Sequence, residues 1–228
     1  MSEPTPVYLE LGSSRVFAVA MDWPGWARSG RTPDQALESL AAYGPRYAKA
    51  VASARAGFRA PSDASGLRVV SRVKGGSGTD FGVPGTTPPA DEKEIDGAEL
   101  KRQASLLRAC WRAFDAAAAA AHGHSLRKGP RGGGRDLGKI VEHVLEAEAA
   151  YLSQLGNRVP KVEGPAATRM AGIRSTALEA LEARARSEPL PDPNKVRKPW
   201  TPRYFVRRSA WHVLDHAWEI EDRVEDAT

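Results

Sequence analysis

The chain has 228 residues, with 33 basic and 28 acidic side chains and a formal net charge of +5. This length exceeds the usual size of one domain, so two compact units are expected, and the interspersed charges lack the neighbouring aromatic residues of a nucleic-acid groove. The single cysteine excludes an internal disulfide, and the chain has neither a signal-peptide pattern nor an apolar run of ~20 residues, which predicts a cytoplasmic protein without a membrane span.

The first 76 residues predict a small α/β unit. Residues 7–21 contain two short runs rich in β-branched and aromatic side chains, separated by the turn formers GSS, and predict a β-hairpin. Thr32 and Pro33 supply an N-cap and a first-turn proline for a helix, which the Gly-Pro pair at 44–45 should kink or split. The segment LRVVSRV, residues 67–73, predicts another strand.

The composition and the periodicity of the sequence change after residue 76. Residues 77–90 are so rich in glycine and proline that they predict a linker without a regular element, and residues 91–228 show helical periodicity and no convincing strand. The expected helices cover about 91–122, 136–155, 165–187 and 202–225. They predict a four-helix bundle. The fold class is therefore α+β, with a small N-terminal α/β domain followed by an all-α bundle, and the glycine-rich GPRGGGRD before the second helix predicts a flexible loop.

Two histidines four residues apart in the last expected helix define the candidate site. His212 and His216 differ by about 40° around an ideal helix axis, so their rings project side by side and offer two nitrogens to one metal ion. Both lie at the edge of the apolar stripe of that helix, and His143 lies at the margin of the stripe in the second expected helix. If the two margins face each other, a third nitrogen joins the pair and leaves coordination positions open to water or substrate.

A simpler interpretation of the same histidines stays open. HxxxH pairs are common on amphipathic helices, where they are half-exposed and bind nothing, and His143 would then be an unrelated boundary residue. If a metal does bind, carboxylates on the same two helices are candidates to orient the imidazoles or to act as a fourth ligand. These carboxylates are Glu146, Asp215 and Glu219.

The segment from about residue 91 to 223 resembles the DinB-like superfamily of DinB/YfiT type. The resemblance rests on a histidine early in the second helix, in KIVEHVLEAEAAYL, and on an HxxxH in the last helix, in FVRRSAWHVLDHAWEIEDR, introduced by WTPRY. It implies a four-helix bundle that binds a divalent metal through His143, His212 and His216. Zinc is the first expectation for three imidazoles with open positions, and nickel or iron would accept the same ligands.

The resemblance also implies two kinds of chemistry on a small-molecule substrate. Some members of the superfamily are similar to S-transferases and isomerases that use low-molecular-weight thiols such as bacillithiol, mycothiol or glutathione, and a bound metal favours the attacking thiolate. The competing chemistry is hydrolysis by metal-activated water, for which Glu219 or Asp215 is the candidate catalytic proton acceptor. Arg208 or its neighbour Arg207 is the candidate binding residue for an anionic substrate or cofactor, although solvated charges on a helix face are at least as common.

Residues 7 to about 54 resemble the HicB-like antitoxin domain, especially in VFAVAMDWPGWARSGRTPDQALESLAAY. Such antitoxins usually join this domain to a DNA-binding segment, and a bundle stands in that place here, which argues against an antitoxin or repressor. The resemblance instead implies docking, either onto the bundle or onto a second copy of the chain in a homodimer. Trp23 and Trp26 are candidates for the docking contact and equally for core positions.

Two functions are therefore carried forward. The first is a metal-dependent transferase or hydrolase that acts on a small molecule. The second is a non-enzymatic ligand- or protein-binding module, in which the HicB-like part recognises a partner. The presence of stoichiometric bound metal distinguishes the two.

Overall fold

The structure, a computed structural model, describes residues 3–128, 134–191 and 196–225. Its fold class is α+β, as the sequence predicts. The strands are β1 (Thr5–Leu11), β2 (Val16–Ala20), β3 (Ala27–Gly30) and β4 (Leu67–Lys74). The helices are α1 (Pro33–Ala42), α2 (Gly44–Val51), α3 (Ser77–Phe81), α4 (Gly97–Ala120), α5 (Leu137–Gln154), α6 (Ala166–Ala185) and α7 (Pro202–Arg223). Most of the predicted loop GPRGGGRD lies outside the described residues.

The four strands form one sheet in the order β3-β2-β1-β4. The predicted hairpin is confirmed, since β1 and β2 pair antiparallel, and β4 pairs parallel to β1 on the other side. The expected split at residues 44–45 is also confirmed, because α1 ends at Ala42 and α2 begins at Gly44. Strand β3 was not expected, because its sequence ARSG contains no β-branched residue, and its pairing with β2 selects the extended conformation.

The four long helices confirm the predicted helical segments. Helix α4 begins later than residue 91, because Asp96 caps it by accepting a hydrogen bond from the Glu99 amide, and Thr201 caps α7 through the Tyr204 amide. Helix α7 packs along α4 and also contacts α5, which in turn packs on α6. No helix in the described ranges combines the length and apolar character needed to cross a bilayer.

The segment predicted to be a linker contains a regular element after all, the short helix α3. The carboxylate of Glu10, fully buried on β1, accepts hydrogen bonds from the Thr79 hydroxyl and from the backbone amides of Gly85 and Thr86. A buried carboxylate must be satisfied by donors, and this segment supplies three of them. These hydrogen bonds hold residues 79–86 against the sheet, despite the glycines in this segment.

Both faces of the sheet are buried against helices. One face belongs to a hydrophobic cluster that runs without interruption into the bundle, from Val7 and Leu9 to Leu107 and Phe205. The opposite face buries residues of all three antiparallel strands against Trp211 of α7, and these residues are Tyr8, Phe17, Val19 and Ala27. The N-terminal unit therefore holds α7, the helix that carries the HxxxH pair.

The turn between β2 and β3 makes the closest backbone approach to α7. Gly25 has a φ of +94°, and a Cβ atom placed on it would lie 3.0 Å from Leu214 Cδ1. Only glycine adopts this positive φ and avoids this close contact without strain. Of the two tryptophans that flank this turn, Trp26 is fully buried and stacks on Tyr47, whereas Trp23 contacts the Arg102 guanidinium of α4.

A buried ion pair adds a polar connection at the same junction. The Arg207 guanidinium donates to both carboxylate oxygens of Asp91, at 2.6 and 2.7 Å, and to the carbonyls of Ala20 and Met21 at the end of β2. Burial opposes the charge of Arg207, but the hydrogen bonds that it donates to Asp91 outweigh this effect and raise the pKa of the guanidinium. Arg207 is thus a structural residue rather than a candidate substrate ligand.

Candidate metal centre

Three histidines meet where α5 packs against α7. His143 lies on α5, His212 and His216 lie on α7, and one ring nitrogen from each lies within 4.8 Å of the others. The N-cap of α5, Asp136, fixes where that helix begins and hence which face carries His143. The expectation that the two stripe margins face each other is confirmed, and the three nearby imidazoles form a possible metal site.

The spacing of the ring nitrogens suits a small ion. Nε2 of His212 lies 3.3 Å from Nε2 of His143, and the three ring centroids are 4.6, 5.0 and 5.2 Å apart. Two nitrogens that bind one zinc ion tetrahedrally, each at ~2.0–2.1 Å, are separated by about 3.3 Å. The His143–His212 edge already has that length, and the His216 nitrogen lies within 4.8 Å of the other two.

The environment opposes protonation of His212 and His143. His212 is only 7 % exposed, and its Nδ1 atom is buried without a hydrogen-bond partner among the described residues. Burial, followed by the charges of His216 and Arg208, holds the pKa of His212 well below its usual range. Burial and the charge of Arg135 also lower the pKa of His143. Since metals bind only the neutral ring, a lowered pKa favours the ligand form.

Glu219 orients the third histidine. Its Oε2 atom lies 2.8 Å from Nδ1 of His216, and its Oε1 atom accepts a hydrogen bond from Arg223 one turn later. The hydrogen bond from His216 is the main reason why the pKa of Glu219 is lowered. In the tautomer in which Nδ1 of His216 donates to the Glu219 carboxylate, Nε2 is available for an ion. Glu219 is therefore placed to orient His216, and its expected role as a proton acceptor stays a prediction.

Asp215, the other candidate proton acceptor, is engaged away from the histidines. It accepts a hydrogen bond from the Arg28 guanidinium at 2.9 Å, and Arg28 also stacks over the Tyr43 ring, 3.6 Å from its centroid. Arg28 belongs to β3, so this ion pair ties the sheet to α7. The structure does not bring Asp215 into the histidine cluster, and Glu146 contributes to the site only through its charge near His143.

Arg208 and the rings of Tyr151, Trp200 and Trp211 lie next to the histidines. Of these residues, the sequence analysis predicted only Arg208 as part of the site. The Arg208 guanidinium lies 4.6 Å from the Trp211 ring centroid and 5.3 Å from that of Tyr151. Tyr151 in turn contacts the His212 ring and the Trp200 ring, at centroid distances of 5.6 and 5.1 Å. Tyr151 lies two turns beyond His143 on α5, a spacing that a helical projection reveals, whereas Trp200 lies in a loop and gives no periodic signal.

One cavity lies apart from the histidines. It is a groove of about 740 Å³ between α2, α4 and α7, lined mainly by alanines of α4 such as Ala113 and Ala117 and by Trp218. Its lining includes Trp218, Ile220 and Glu221 of α7 but none of the three histidines. The groove and the histidine cluster are therefore separate features.

Replacing Glu219 with glutamine should weaken zinc binding by about 10- to 100-fold, because the amide no longer fixes His216 with a charged acceptor. Competition with a chromogenic chelator measures the affinity. The matched control is Glu221→Gln, which makes the same change on the opposite side of α7, where Glu221 pairs with Arg46. Equal zinc affinity in Glu219→Gln and wild type would show that Glu219 does not support the site.

Comparisons with known proteins do not identify a relative. No protein-family model matches the chain, and no curated protein or solved structure matches it either. The functional argument therefore rests on the arrangement of His143, His212 and His216 and their neighbours.

Proposed function

We propose that this chain is a DinB-like protein whose His143, His212 and His216 bind one divalent metal ion, most simply zinc, and that it transfers a low-molecular-weight thiol to a small-molecule electrophile. The observation that carries the proposal is the convergence of three ring nitrogens within 4.8 Å from two separate helices. The HicB-like resemblance of the N-terminal unit then corresponds to docking onto α7 within one chain.

The donor set supports a catalytic rather than a structural ion. Structural zinc sites use four protein ligands, usually with cysteine, whereas catalytic sites use three and keep a position open. Three imidazoles suit zinc, nickel or iron. When bound, such an ion supplies the positive charge that favours the thiolate form of a thiol near neutral pH.

The state of the nearby carboxylates favours thiol transfer over hydrolysis. Hydrolysis needs a proton acceptor beside the attacking water. Glu219 is occupied by His216 and Arg223, and Asp215 is occupied by Arg28. The pKa of a free thiol, about 8.5, lies far below that of water, about 15.7, so a thiol can release its proton to solvent and depends less on such an acceptor.

The thiol must come from a small molecule. Cys110 is the one cysteine of the chain; it is fully buried in the core, and burial raises the pKa of its thiol to about 12. Such a side chain is not a nucleophile at neutral pH. The roles left to this chain are to hold the ion through the histidines, to orient His216 through Glu219, and to exclude water with the rings of Tyr151 and Trp200.

Metal analysis of the untagged protein tests the proposal. We expect one equivalent of metal in the wild type and in the exposed control variant His122→Ala, and loss of the metal in His143→Ala and His212→Ala. We further expect that the metal-loaded wild type conjugates glutathione, bacillithiol or mycothiol to chlorodinitrobenzene and that His212→Ala does not. A folded, metal-free wild type would instead support the non-enzymatic binding module, and ester hydrolysis without added thiol would support the hydrolase.

A further inference from the structure

We infer that Arg208 binds a carboxylate of the substrate, so that the electrophile accepted by this site is a carboxylic acid with a flat, apolar body. The inference rests on the proposed function, because it names the class of molecule that would react at the histidine centre. It is carried by three observations about Arg208: its lack of an acidic partner, its place beside the histidines, and the rings that surround it.

The first observation is that the charge of Arg208 is not neutralised within the described residues. The other arginines of α7 each pair with a carboxylate, Arg203 with Glu99, Arg207 with Asp91 and Arg223 with Glu219. Arg208 has no acidic oxygen within 4.0 Å among the residues described, and its Nη1 atom is buried without a hydrogen-bond acceptor. A guanidinium that pairs with none of the described carboxylates can form a charge-assisted pair with a bound carboxylate, through N–H groups other than the buried Nη1.

The second observation is its position relative to the metal ligands. Arg208 lies one turn before His212 on the same face of α7, and its charge is one of the causes that lower the pKa of His212. A molecule whose carboxylate is held by Arg208 would extend along α7 towards His212 and His143. The guanidinium is thus placed to orient a substrate without being a ligand of the ion.

The third observation is the combination of local charge and aromatic surface. Three neutral imidazoles add no negative charge to a divalent ion, and the charge of Glu219 is offset by Arg223. The centre therefore attracts anions. The Arg208 guanidinium lies over the Trp211 and Tyr151 rings, and the Trp200 ring lies next to that of Tyr151, so a planar, apolar substrate held by Arg208 would contact aromatic surface.

Titration with benzoate, and with benzamide as its neutral analogue, tests the inference by calorimetry. The variants are Arg208→Gln, which removes the charge, and Arg208→Lys, which keeps the charge but loses the planar fork. Arg112→Gln is the matched control, because Arg112 lies in the separate groove and bonds Ser53. Metal content and circular dichroism are measured on every sample.

We expect benzoate to bind the zinc-loaded wild type and Arg112→Gln equally, at least tenfold more weakly to Arg208→Gln, and with intermediate affinity to Arg208→Lys. Benzamide should bind all four proteins equally weakly. Unchanged benzoate affinity in folded, zinc-loaded Arg208→Gln, or no benzoate binding to the wild type, would overturn the inference. If the wild type holds no metal, the proposed function fails, and the same comparison in metal-free protein still decides the role of Arg208.

Discussion

Replacing Arg207 with methionine should lower the free energy of unfolding by about 3–5 kcal/mol, because the change leaves the carboxylate of Asp91 buried without its partner. Asp91 is only 1 % exposed, and Arg207 is its ion-pair partner as well as the donor to the carbonyls of Ala20 and Met21. Those carbonyls lose their donor at the same time. Urea unfolding followed by circular dichroism measures the loss.

A double variant separates the charge effect from the loss of packing. Asp91→Leu combined with Arg207→Met should recover most of the stability, since apolar residues of similar volume often replace a buried ion pair at little cost. Arg68→Met is the control, because Arg68 is exposed and its pairing with Glu3 should contribute little. An unfolding midpoint for Arg207→Met equal to that of the wild type would mean that the pair does not hold the sheet to α7.

The helices and the convergence of the three histidines were predictable from the sequence, because both follow from local sequence patterns. Asp136 marks the start of α5, and Thr201 and Pro202 mark the start of α7. The apolar periodicity then indicates which face of each helix is buried. Once the stripes are placed, His143 and the HxxxH pair fall on margins that a bundle brings together. Two local patterns and one packing rule therefore suffice for the three candidate ligands.

The roles of the carboxylates were not predictable, because they depend on partners far away in the sequence. Asp215 and Glu219 are equivalent in the sequence, being acidic residues within one turn of His216. The structure distinguishes them. Asp215 accepts a hydrogen bond from Arg28, which is 187 residues away in the sequence and lies in β3, whereas Glu219 bonds His216 of the same helix. Only the folded sheet places Arg28 at α7.

Long-range packing also gives the N-terminal unit a role in positioning α7. Its sequence predicts a small α/β unit, and in the structure both faces of its sheet are buried against helices. Trp211, the neighbour of His212 in the chain, belongs to the cluster on one of these faces. Phe17 contacts the Trp211 ring edge-on at a centroid distance of 6.3 Å. The unit therefore fixes the rotation of α7, and through it the direction of both histidines of the HxxxH pair.

Adding zinc to the metal-free protein should raise the free energy of unfolding by about 4 kcal/mol when free zinc exceeds its Kd a thousandfold. The three nitrogens converge only in the folded chain, since His143 and His212 are 69 positions apart, so the ion binds the native state in preference to the unfolded one. Thermal and urea unfolding in buffered zinc measure the increment. It should shrink only when the pH falls below the usual range of imidazole pKa values, because burial lowers the pKa of His143 and His212 and protons compete for their rings only there.

Variants of single histidines show whether this stabilisation comes from the proposed centre. His143→Ala and His212→Ala should lose most of the zinc-dependent increment, whereas His122→Ala, which changes an exposed histidine at the end of α4, should keep it. His143→Ala is the more informative of the two, because its ring is less buried than that of His212 and its removal disturbs the core less. If zinc stabilises His143→Ala as much as the wild type, the ion binds elsewhere and α5 does not contribute a ligand.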